Sequence, residues 1–275
     1  MSASLGRPTP STPSPWALAR WLRAPLAVWR LLRMGVHILW GLAQVYTVWP
    51  SMDASARARR LAHWSRGFLK ALGVRLVTDG TPRPGAKLIV ANHISWLDII
   101  AINSVIPSRF VSKAEVGQWP VVGRLVTAAG TLYLVRERRR DAARVLGLMA
   151  RALREGDTVA VFPEGTTGAG HDIMHFHANL VQAAIDAPAP VQPVVIHYDD
   201  ANELVSTAPA YIGELGMLES LWLVATAWGL TVRVSVMTAQ SVEHADRRAI
   251  TERLHDDMSA HQHRIRDGLR KDRLK

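Results

Sequence analysis

The pattern of apolar and polar positions predicts two helices near the start of the chain. Residues 24–49 are mainly apolar, and their only charged side chains are Arg30 and Arg33. Residues 51–72 are rich in basic side chains, and their apolar side chains recur at helical spacing, at Leu61, Trp64, Phe68 and Leu72. We therefore expect an apolar helix that ends near Pro50, followed by a basic amphipathic helix.

Beyond residue 75, short β-branched runs alternate with stretches of helical periodicity. The runs predict strands at 88–92, 109–113, 131–135, 158–162, 191–198 and 231–237. The periodic stretches predict helices at 96–105, 139–154, 176–187 and 246–265. This alternation is typical of an α/β fold, and we expect a mixed central sheet flanked by helices.

The apolar run is short for a membrane span. Its uncharged part, residues 34–49, has 16 residues, whereas a spanning helix needs about 20. We therefore expect a hairpin of two helices that lies in one leaflet. A tilted span with arginines reaching the interface, or a pair of ordinary core helices, are the alternatives. The Ser/Thr/Pro-rich start has no apolar core or cleavage site of a signal peptide. The predicted segments are a disordered 1–23, a two-helix membrane-associated motif at 24–75, and an α/β domain at 76–275.

The formal net charge of +10 is confined to the first 75 residues. They contain eleven Lys or Arg and one acidic residue, Asp53, whereas the remainder of the chain has equal numbers of basic and acidic residues. Five of the ten tryptophans lie within the first 49 residues. Trp with Arg is typical of the headgroup region of an anionic membrane. Nucleic acid is disfavoured as a partner, because no nucleic-acid-binding module is recognisable.

Composition and spacing exclude several chemistries. The chain has no cysteine, which excludes disulfides, a thiolate metal site and a cysteine nucleophile, and which is compatible with the cytoplasm. His171, His175 and His177 cluster in sequence but lack the carboxylate partners and the spacing of a catalytic zinc site, so we expect no metal. No G-x-S-x-G motif of a serine hydrolase is present.

A candidate general base lies in the heptapeptide N-H-I-S-W-L-D, residues 92–98. On one continuous helix His93 and Asp98 would diverge, because five residues turn a helix by about 500°. They can meet if His93 lies in the turn after the first predicted strand and Asp98 in the first turn of the next helix, capped by Ser95. The carboxylate would then fix the imidazole tautomer and leave the other nitrogen as a base. Alternatively, Asp98 only caps the helix and His93 is an ordinary turn residue.

A glycine-rich loop, P-E-G-T-T-G-A-G, follows the predicted strand at 158–162. Its glycines let backbone N–H groups approach a ligand closely. Glu164 can bond a substrate hydroxyl, and Thr166 and Thr167 can donate to oxyanions. The loop is not a P-loop, because no G-K-[ST] follows. A simple turn is the alternative interpretation.

Two cations are expected where predicted strands end, at the edge where open α/β sheets bind ligands. Arg136 directly follows the strand at 131–135, and Lys113 ends the strand at 109–113. Guanidinium suits bidentate recognition of phosphate. A solvated surface position is the alternative for each of these cations.

Taken in order, these segments resemble the lysophosphatidic-acid acyltransferase family of glycerolipid acyltransferases. The four blocks of the family correspond to Asn92-His93-x4-Asp98, Gly130 to Arg136, Phe162 to Thr166, and Val191-x-Pro193-Val194. Four blocks in this order and spacing are highly specific. The resemblance extends loosely over residues 30–240.

The resemblance implies acyl transfer from acyl-CoA or acyl-carrier protein to the sn-2 hydroxyl of 1-acylglycerol-3-phosphate in phospholipid biosynthesis, without a metal or cofactor. It implies that His93 is the general base, that Asp98 orients it, and that Pro193 and its strand shape the channel for the acyl chain or donor. Combined with the loop and strand-end candidates, the substrate-binding residues are expected to be Asn92, Lys113, Arg136, Glu164, Gly165, Thr166 and Thr167.

One position departs from the family pattern. Many members carry Arg after Glu-Gly-Thr, where this chain has Thr167. Thr-Thr is similar to members that acylate lyso-ornithine lipid, which makes that lipid the alternative acceptor. An acyl hydrolase and a non-catalytic membrane adaptor are more distant alternatives. We expect the protein on the anionic surface of the inner (cytoplasmic) membrane, with its acyltransferase domain facing the cytoplasm.

Overall fold

The computed structural model describes residues 22–134, 139–243 and 246–274. Nearly all of the predicted disordered segment and Arg136, one of the expected acceptor-binding residues, lie outside this part of the chain. The described residues form a seven-stranded mixed sheet with helices on both faces, as the alternating pattern predicts.

The strands are β1 (Arg75–Asp79), β2 (Lys87–Ala91), β3 (Arg109–Lys113), β4 (Leu132–Leu134), β5 (Thr158–Val161), β6 (Val191–Asp199) and β7 (Thr231–Val236). The helices are α1 (Ala24–Thr47), α2 (Ala54–Leu72), α3 (Leu97–Val105), α4 (Val122–Ala128), α5 (Arg139–Arg154), α6 (Gln182–Asp186), α7 (Met217–Thr226) and α8 (Arg247–Arg273). Short 3-10 turns occupy Trp49–Ser51, Ala114–Gln118 and Ala178–Val181.

Five strands of the sheet share one direction. The strand order is β1-β7-β6-β2-β5-β3-β4, and every neighbouring pair is parallel except β6 and β7. The carboxyl ends of β2 to β6 therefore lie along one edge of the sheet. Loops that follow these strands meet at this edge, as in other open α/β sheets.

The sheet is covered on both faces, which explains its uninterrupted apolar strands. Side chains alternate along β2, so Ile89 and Ala91 pack against one layer while Leu88 and Val90 pack against the other. The first layer contains α2, α3 and α7, with α1 packed outside it. The second layer contains α5, α6 and α8.

Helix α2 contributes directly to the core. Asp53 begins it by accepting a hydrogen bond from the backbone N–H of Ala56, and Gly73 ends it in the left-handed conformation. Phe68, Leu69 and Leu72 are buried within the same hydrophobic cluster as β2 and β6. Helix α2 therefore packs into the core of the sheet, and the boundary expected near residue 75 stays a prediction.

Helix α1 directs its polar side chains toward the protein. Arg30, His37 and Gln44 are seven residues apart, two helical turns, and so share one face. Arg30 donates to two carbonyl groups at the end of α7, and His37 donates to a carbonyl group of α2. Gln44 accepts a hydrogen bond of 2.9 Å from Arg60 of α2.

The opposite face of α1 is apolar and exposed. Its large exposed side chains are Val28, Trp29, Leu32, Val36, Leu39, Trp40 and Tyr46. Among the described helices, α1 alone is long and apolar enough to cross a membrane, judged by length and composition. The helix runs unbroken for 24 residues, longer than the uncharged run of 16 residues, because it includes Arg30, whose guanidinium faces α7.

Helix α2 presents basic side chains to solvent beside this apolar face. Its exposed residues include Arg59, His63, Arg66 and Lys70, which recur at helical spacing. Because α1 and α2 pack against each other, an apolar surface and a basic surface lie side by side. The amphipathic pattern predicted for 51–72 is thus confirmed.

Several elements differ from the sequence prediction. The helix expected at 176–187 is a 3-10 turn followed by the short α6, since the backbone of His177 is bonded to Pro163 and proline follows at Pro188. Helix α8 continues eight residues past the predicted end, to Arg273. The sequence pattern does not predict β1, α4 or α7. Strand β1 is a short edge strand with few apolar side chains, which explains its weak signal.

Candidate active site

The turn between β2 and α3 brings His93 and Asp98 together. His93 lies two residues after the end of β2, and Asp98 lies in the first turn of α3. Their side chains are joined by a contact of 2.9 Å between Nδ1 and Oδ2. The His93 side chain is 19% exposed, whereas that of Asp98 is fully buried. This is the geometry that a histidine in a turn and a carboxylate at a helix start were expected to give.

Asp98 caps the helix and orients the histidine at the same time. Its Oδ2 atom accepts from the backbone N–H groups of Ile94 (2.7 Å) and Ser95 (2.9 Å) as well as from His93. In return, the hydroxyl oxygen of Ser95 accepts from the N–H of Leu97, which completes the predicted capping arrangement. The two roles that the sequence left as alternatives therefore coexist in one carboxylate.

The hydrogen bonds define the state of the His93 ring. Because Oδ2 of Asp98 already accepts two backbone N–H groups, it acts as an anionic acceptor, and Nδ1 of His93 carries the proton. Among the described residues, Nε2 of His93 has no hydrogen-bond partner, and the ring is partly exposed. A neutral imidazole with a free basic Nε2 can take a proton from a bound hydroxyl group.

The loop after β5 contacts both the ring and the backbone of His93. The ring of Phe162 stacks on the imidazole with centroids 3.8 Å apart and planes 8° from parallel. The backbone N–H of His93 donates to Oε1 of Glu164 (3.0 Å), and its carbonyl accepts from the N–H of Gly168 (2.8 Å). Residues 162–168 thus fix both the ring and the backbone of His93.

Glu164 is a buried carboxyl group rather than an exposed ligand. Burial raises the pKa of this carboxyl from its usual value of 4.5 to about 8, although hydrogen bonds from the backbone N–H groups of His93 and Met174 oppose the shift. Glu164 therefore keeps its proton at neutral pH. The carboxyl group contacts the backbone of the turn and of the glycine-rich loop, and the expected contact with a substrate hydroxyl stays a prediction.

Asn92 supports the turn with its side chain. It is buried, and its carboxamide donates to the carbonyl of Ile196 (2.9 Å) while accepting from the N–H of the same residue (2.7 Å). The side chain therefore continues the pairing of β2 with β6 beyond the last backbone pair. These two bonds give Asn92 a structural role, and its expected contact with substrate stays a prediction.

Thr167 is also engaged within the protein. Its hydroxyl donates to the carbonyl of Tyr211, whose own N–H donates to the carbonyl of Ile94 (2.9 Å). These contacts tie the loop around Tyr211 to the turn at residues 92–96, and they use the Thr167 hydroxyl as a donor within the protein. Gly165 and Thr166 are exposed, and Gly165 adopts a left-handed φ of 72°.

The remaining candidates occupy different positions in the sheet. Lys113 is exposed at the carboxyl end of β3, where it pairs with Leu134 of β4. Leu134 directly precedes the segment that contains Arg136, and that segment lies outside the described residues. Pro193 is buried in the middle of β6 and pairs with Val90 of β2.

Two residues of the site were not singled out from the sequence. Phe162 is part of a predicted strand and of the third family block but is not among the expected site residues, although an aromatic residue directly before the loop could have suggested stacking on His93. Tyr198 donates a hydrogen bond of 2.8 Å to Oδ1 of Asp98 from a position 100 residues away in sequence. The sequence places Tyr198 at the end of a predicted apolar strand, but no nearby sequence motif links this residue to the heptapeptide at 92–98.

Comparison with known proteins places this geometry among acyltransferases. Residues 76–197 match the family model described as Acyltransferase. A 1-acyl-sn-glycerol-3-phosphate acyltransferase of Neisseria meningitidis serogroup B is 36% identical over 208 residues, which cover 74% of this chain and 81% of the relative. A lyso-ornithine lipid O-acyltransferase of Pseudomonas aeruginosa is 36% identical over 173 residues, which cover 62% of this chain and 66% of the relative.

A solved structure shares the fold. The 1-acyl-sn-glycerophosphate (LPA) acyltransferase PlsC of Thermotoga maritima superposes with a TM-score of 0.68, covering 90% of this chain and 97% of the other at 19% identity. At this identity the likeness establishes the fold alone. The similarity in sequence that shows the family is the one to the Neisseria meningitidis relative.

Proposed function

Because this chain belongs to the lysophosphatidic-acid acyltransferase family, we propose that it transfers a fatty acyl group to the sn-2 hydroxyl of 1-acylglycerol-3-phosphate, forming phosphatidic acid. The chain is an O-acyltransferase, so the adaptor alternative is set aside. The observation that carries the proposal is the His93–Asp98 pair, in which the imidazole is partly exposed and its Nε2 has no hydrogen-bond partner among the described residues.

The pair supplies general-base catalysis in the proposed reaction. Nε2 of His93 takes the proton of the acceptor hydroxyl as that oxygen attacks the thioester carbonyl carbon. Asp98 stabilises the imidazolium through Nδ1, and backbone donors hold its Oδ2 in place. When the carbon–sulfur bond breaks, His93 returns the proton to the leaving thiolate. General-base help of this kind is typically worth about 10² to 10⁴ in rate.

The acceptor would lie along the carboxyl edge between β5 and β4. In this arrangement Lys113 and Arg136 pair with the phosphate, and the exposed backbone at Gly165 and Thr166 contacts the glycerol. The support is positional, because Lys113 ends a strand adjacent to the one that leads to Arg136. Pro193 keeps its proposed role in shaping the channel for the acyl chain or donor. The donor is acyl-CoA or acyl-carrier protein.

The helical hairpin would hold the enzyme on anionic membrane lipid. The exposed apolar face of α1 would enter the headgroup and acyl boundary, while the basic face of α2 contacts anionic headgroups. Bonds from α1 to α2 and α7 support an orientation parallel to the surface, since they run along most of the helix. We place the enzyme on the inner membrane with its catalytic domain in the cytoplasm, where both thioester donors occur.

Lyso-ornithine lipid is a second candidate acceptor. Thr167 stands where many family members carry Arg, and its hydroxyl is bonded to a backbone carbonyl, so this position offers no cation for a phosphate. A lyso-ornithine lipid O-acyltransferase of Rhizobium meliloti is 29% identical over 248 residues, covering 85% of this chain. In this case Arg136 would pair with the ornithine carboxylate.

One acylation assay tests both candidates. Purified enzyme receives labelled acyl-CoA or acyl-carrier protein with lysophosphatidic acid, lyso-ornithine lipid or no acceptor, and His93→Ala serves as the inactive control. Acylation of lysophosphatidic acid that depends on His93 supports the proposal. Selective acylation of lyso-ornithine lipid would replace the first acceptor by the second. Thioester cleavage at the same rate without acceptor would identify a hydrolase and contradict both.

A further inference from the structure

A buried tyrosine, Tyr198, contacts Asp98 in the turn between β2 and α3. Strand β6 extends beyond its last pair with β2, which is Ala91 with Val194, and the Asn92 carboxamide continues the pairing to Ile196. Two residues further, the side chain of Tyr198 lies under the turn and is 1% exposed. Its position therefore follows from the sheet register and not from any local motif.

The phenol complements the other donors to Asp98. Three donors converge on Oδ2 of Asp98, whereas Oδ1 accepts from the Tyr198 hydroxyl at 2.8 Å. Within the described chain, Tyr198 is the one donor that the structure gives to Oδ1. Burial and the adjacent Asp98 raise the pKa of the phenol well above 10, so the hydroxyl keeps its proton and always acts as the donor.

We propose that Tyr198 is a positioning residue that sets the proton affinity of the His93–Asp98 pair. The inference rests on the proposed role of that pair in catalysis. A donor at Oδ1 draws negative charge away from Oδ2 and holds the carboxylate at the rotation that presents Oδ2 to Nδ1 of His93. The first effect keeps the imidazole neutral, and thus active as a base, at lower pH, and the second keeps the ring oriented for proton transfer.

Tyr198→Phe removes the hydroxyl oxygen and leaves the packing of the ring in place. Without this donor the buried carboxylate is less stabilised as an anion, so the pair binds a proton at higher pH. We expect the acidic limb of the pH profile of kcat/KM to move upward by roughly half to one pH unit, given the usual strength of a hydrogen bond to a charged group. The plateau kcat should fall by up to about tenfold, with the acceptor KM unchanged.

A matched control separates this effect from general loss of a buried hydroxyl. Ser104 is also fully buried, and its hydroxyl donates to the carbonyl of Ala101 within α3. Ser104→Ala should leave the acidic limb where it is. If Tyr198→Phe folds poorly, a fluorinated tyrosine introduced at position 198 keeps the ring and makes the phenol a stronger donor. It should move the limb downward, opposite to Tyr198→Phe.

The outcomes distinguish the inference from the function on which it rests. Limb shifts of opposite sign for the two replacements of Tyr198 would support it. A Tyr198→Phe enzyme that loses activity while its limb stays at the wild-type pH would reduce Tyr198 to a structural residue and overturn the inference. Full activity of His93→Ala would instead refute the base assignment, whatever the Tyr198 variants do.

Discussion

In the turn at residues 92–98, charged and polar side chains contact one another next to a partly exposed histidine, whereas α1 bonds the protein through Arg30, His37 and Gln44 and exposes large apolar side chains on its opposite face. The carboxylate of Asp98 is fully buried and has donors on both oxygens. The outer face of α1 leaves Leu32, Val36 and Leu39 each more than half exposed.

The difference shows two responses to water. Burying a carboxylate is costly unless donors replace its hydration, and the backbone N–H groups of Ile94 and Ser95 with the Tyr198 hydroxyl do so. A continuous apolar surface is costly in water and needs a second apolar phase. The turn at residues 92–98 therefore satisfies a buried carboxylate within the protein, whereas the outer face of α1 is an apolar surface that favours contact with a second apolar phase.

The largest expected effect is at the catalytic turn. His93→Ala should lower kcat by about 10² to 10⁴ because the base is lost, with vesicle binding unchanged. Asp98→Asn should also be severe, because an amide does not stabilise the imidazolium. Steady-state acylation and vesicle co-sedimentation measure the two properties. A His93→Ala enzyme that keeps more than about a tenth of wild-type activity would exclude this residue as the base.

The second effect tests the apolar face of α1. Replacing Leu32, Val36 and Leu39 together by Ser should weaken binding to lipid vesicles by roughly 10², if each side chain contributes on the order of 1 kcal/mol when immersed in lipid. The thermal stability of the protein in detergent should change little, because these side chains are exposed.

Replacing the basic residues of α2 gives the contrasting result. Changing Arg59, Arg66 and Lys70 to Gln removes the exposed charges without touching the apolar face. Binding should weaken only at low salt and only to anionic vesicles, because salt screens surface charges. Unchanged binding in both sets of variants would place the membrane contact elsewhere on the molecule.

The same contrast explains what the sequence could predict. The His93–Asp98 contact was predictable because both partners and the cap at Ser95 lie within one heptapeptide. The contacts of Asp98 with Tyr198 and of His93 with Glu164 join residues 100 and 71 positions apart, so they depend on sheet order and register. In α1, composition indicated a membrane surface, but only packing shows that Arg30 faces inward.

A smaller effect concerns Glu164. Glu164→Gln keeps an oxygen acceptor for the backbone N–H of His93, so activity should stay within about tenfold of wild type, whereas Glu164→Ala should lose more. Equal losses of activity in the two variants would indicate that the ionised carboxylate itself contacts substrate. Acylation rates at saturating acceptor measure the difference.

The raised pKa of Glu164 also predicts how stability varies with pH. The carboxyl ionises near pH 4.5 when unfolded but keeps its proton to about pH 8 when folded. Between these values unfolding releases a proton, so this group makes the unfolding free energy fall as pH rises. Glu164→Gln removes that contribution. Denaturant unfolding below, between and above the two pKa values should show a flatter dependence for the variant, and parallel curves would contradict the buried, protonated state.

The last effect compares two arginines three residues apart on α1. Arg30 donates to the carbonyl groups of Ala225 (2.8 Å) and Ala227 (2.9 Å) at the end of α7, whereas Arg33 is exposed. Arg30→Ala should lower the unfolding free energy by about 1.5–3 kcal/mol, because it removes charged donors from a helix C-terminus. Arg33→Ala should change it by less than about 0.5 kcal/mol.

Vesicle binding should separate the same two variants in the opposite sense. Arg33→Ala removes an exposed charge and should alter the salt dependence of binding, while Arg30→Ala should leave it unchanged because its guanidinium faces α7. Chemical denaturation gives the unfolding free energy of each variant, and vesicle co-sedimentation gives the salt dependence of its binding. If the two arginines behaved alike in both measurements, α1 would not have one face bonded to the protein and one face directed to lipid.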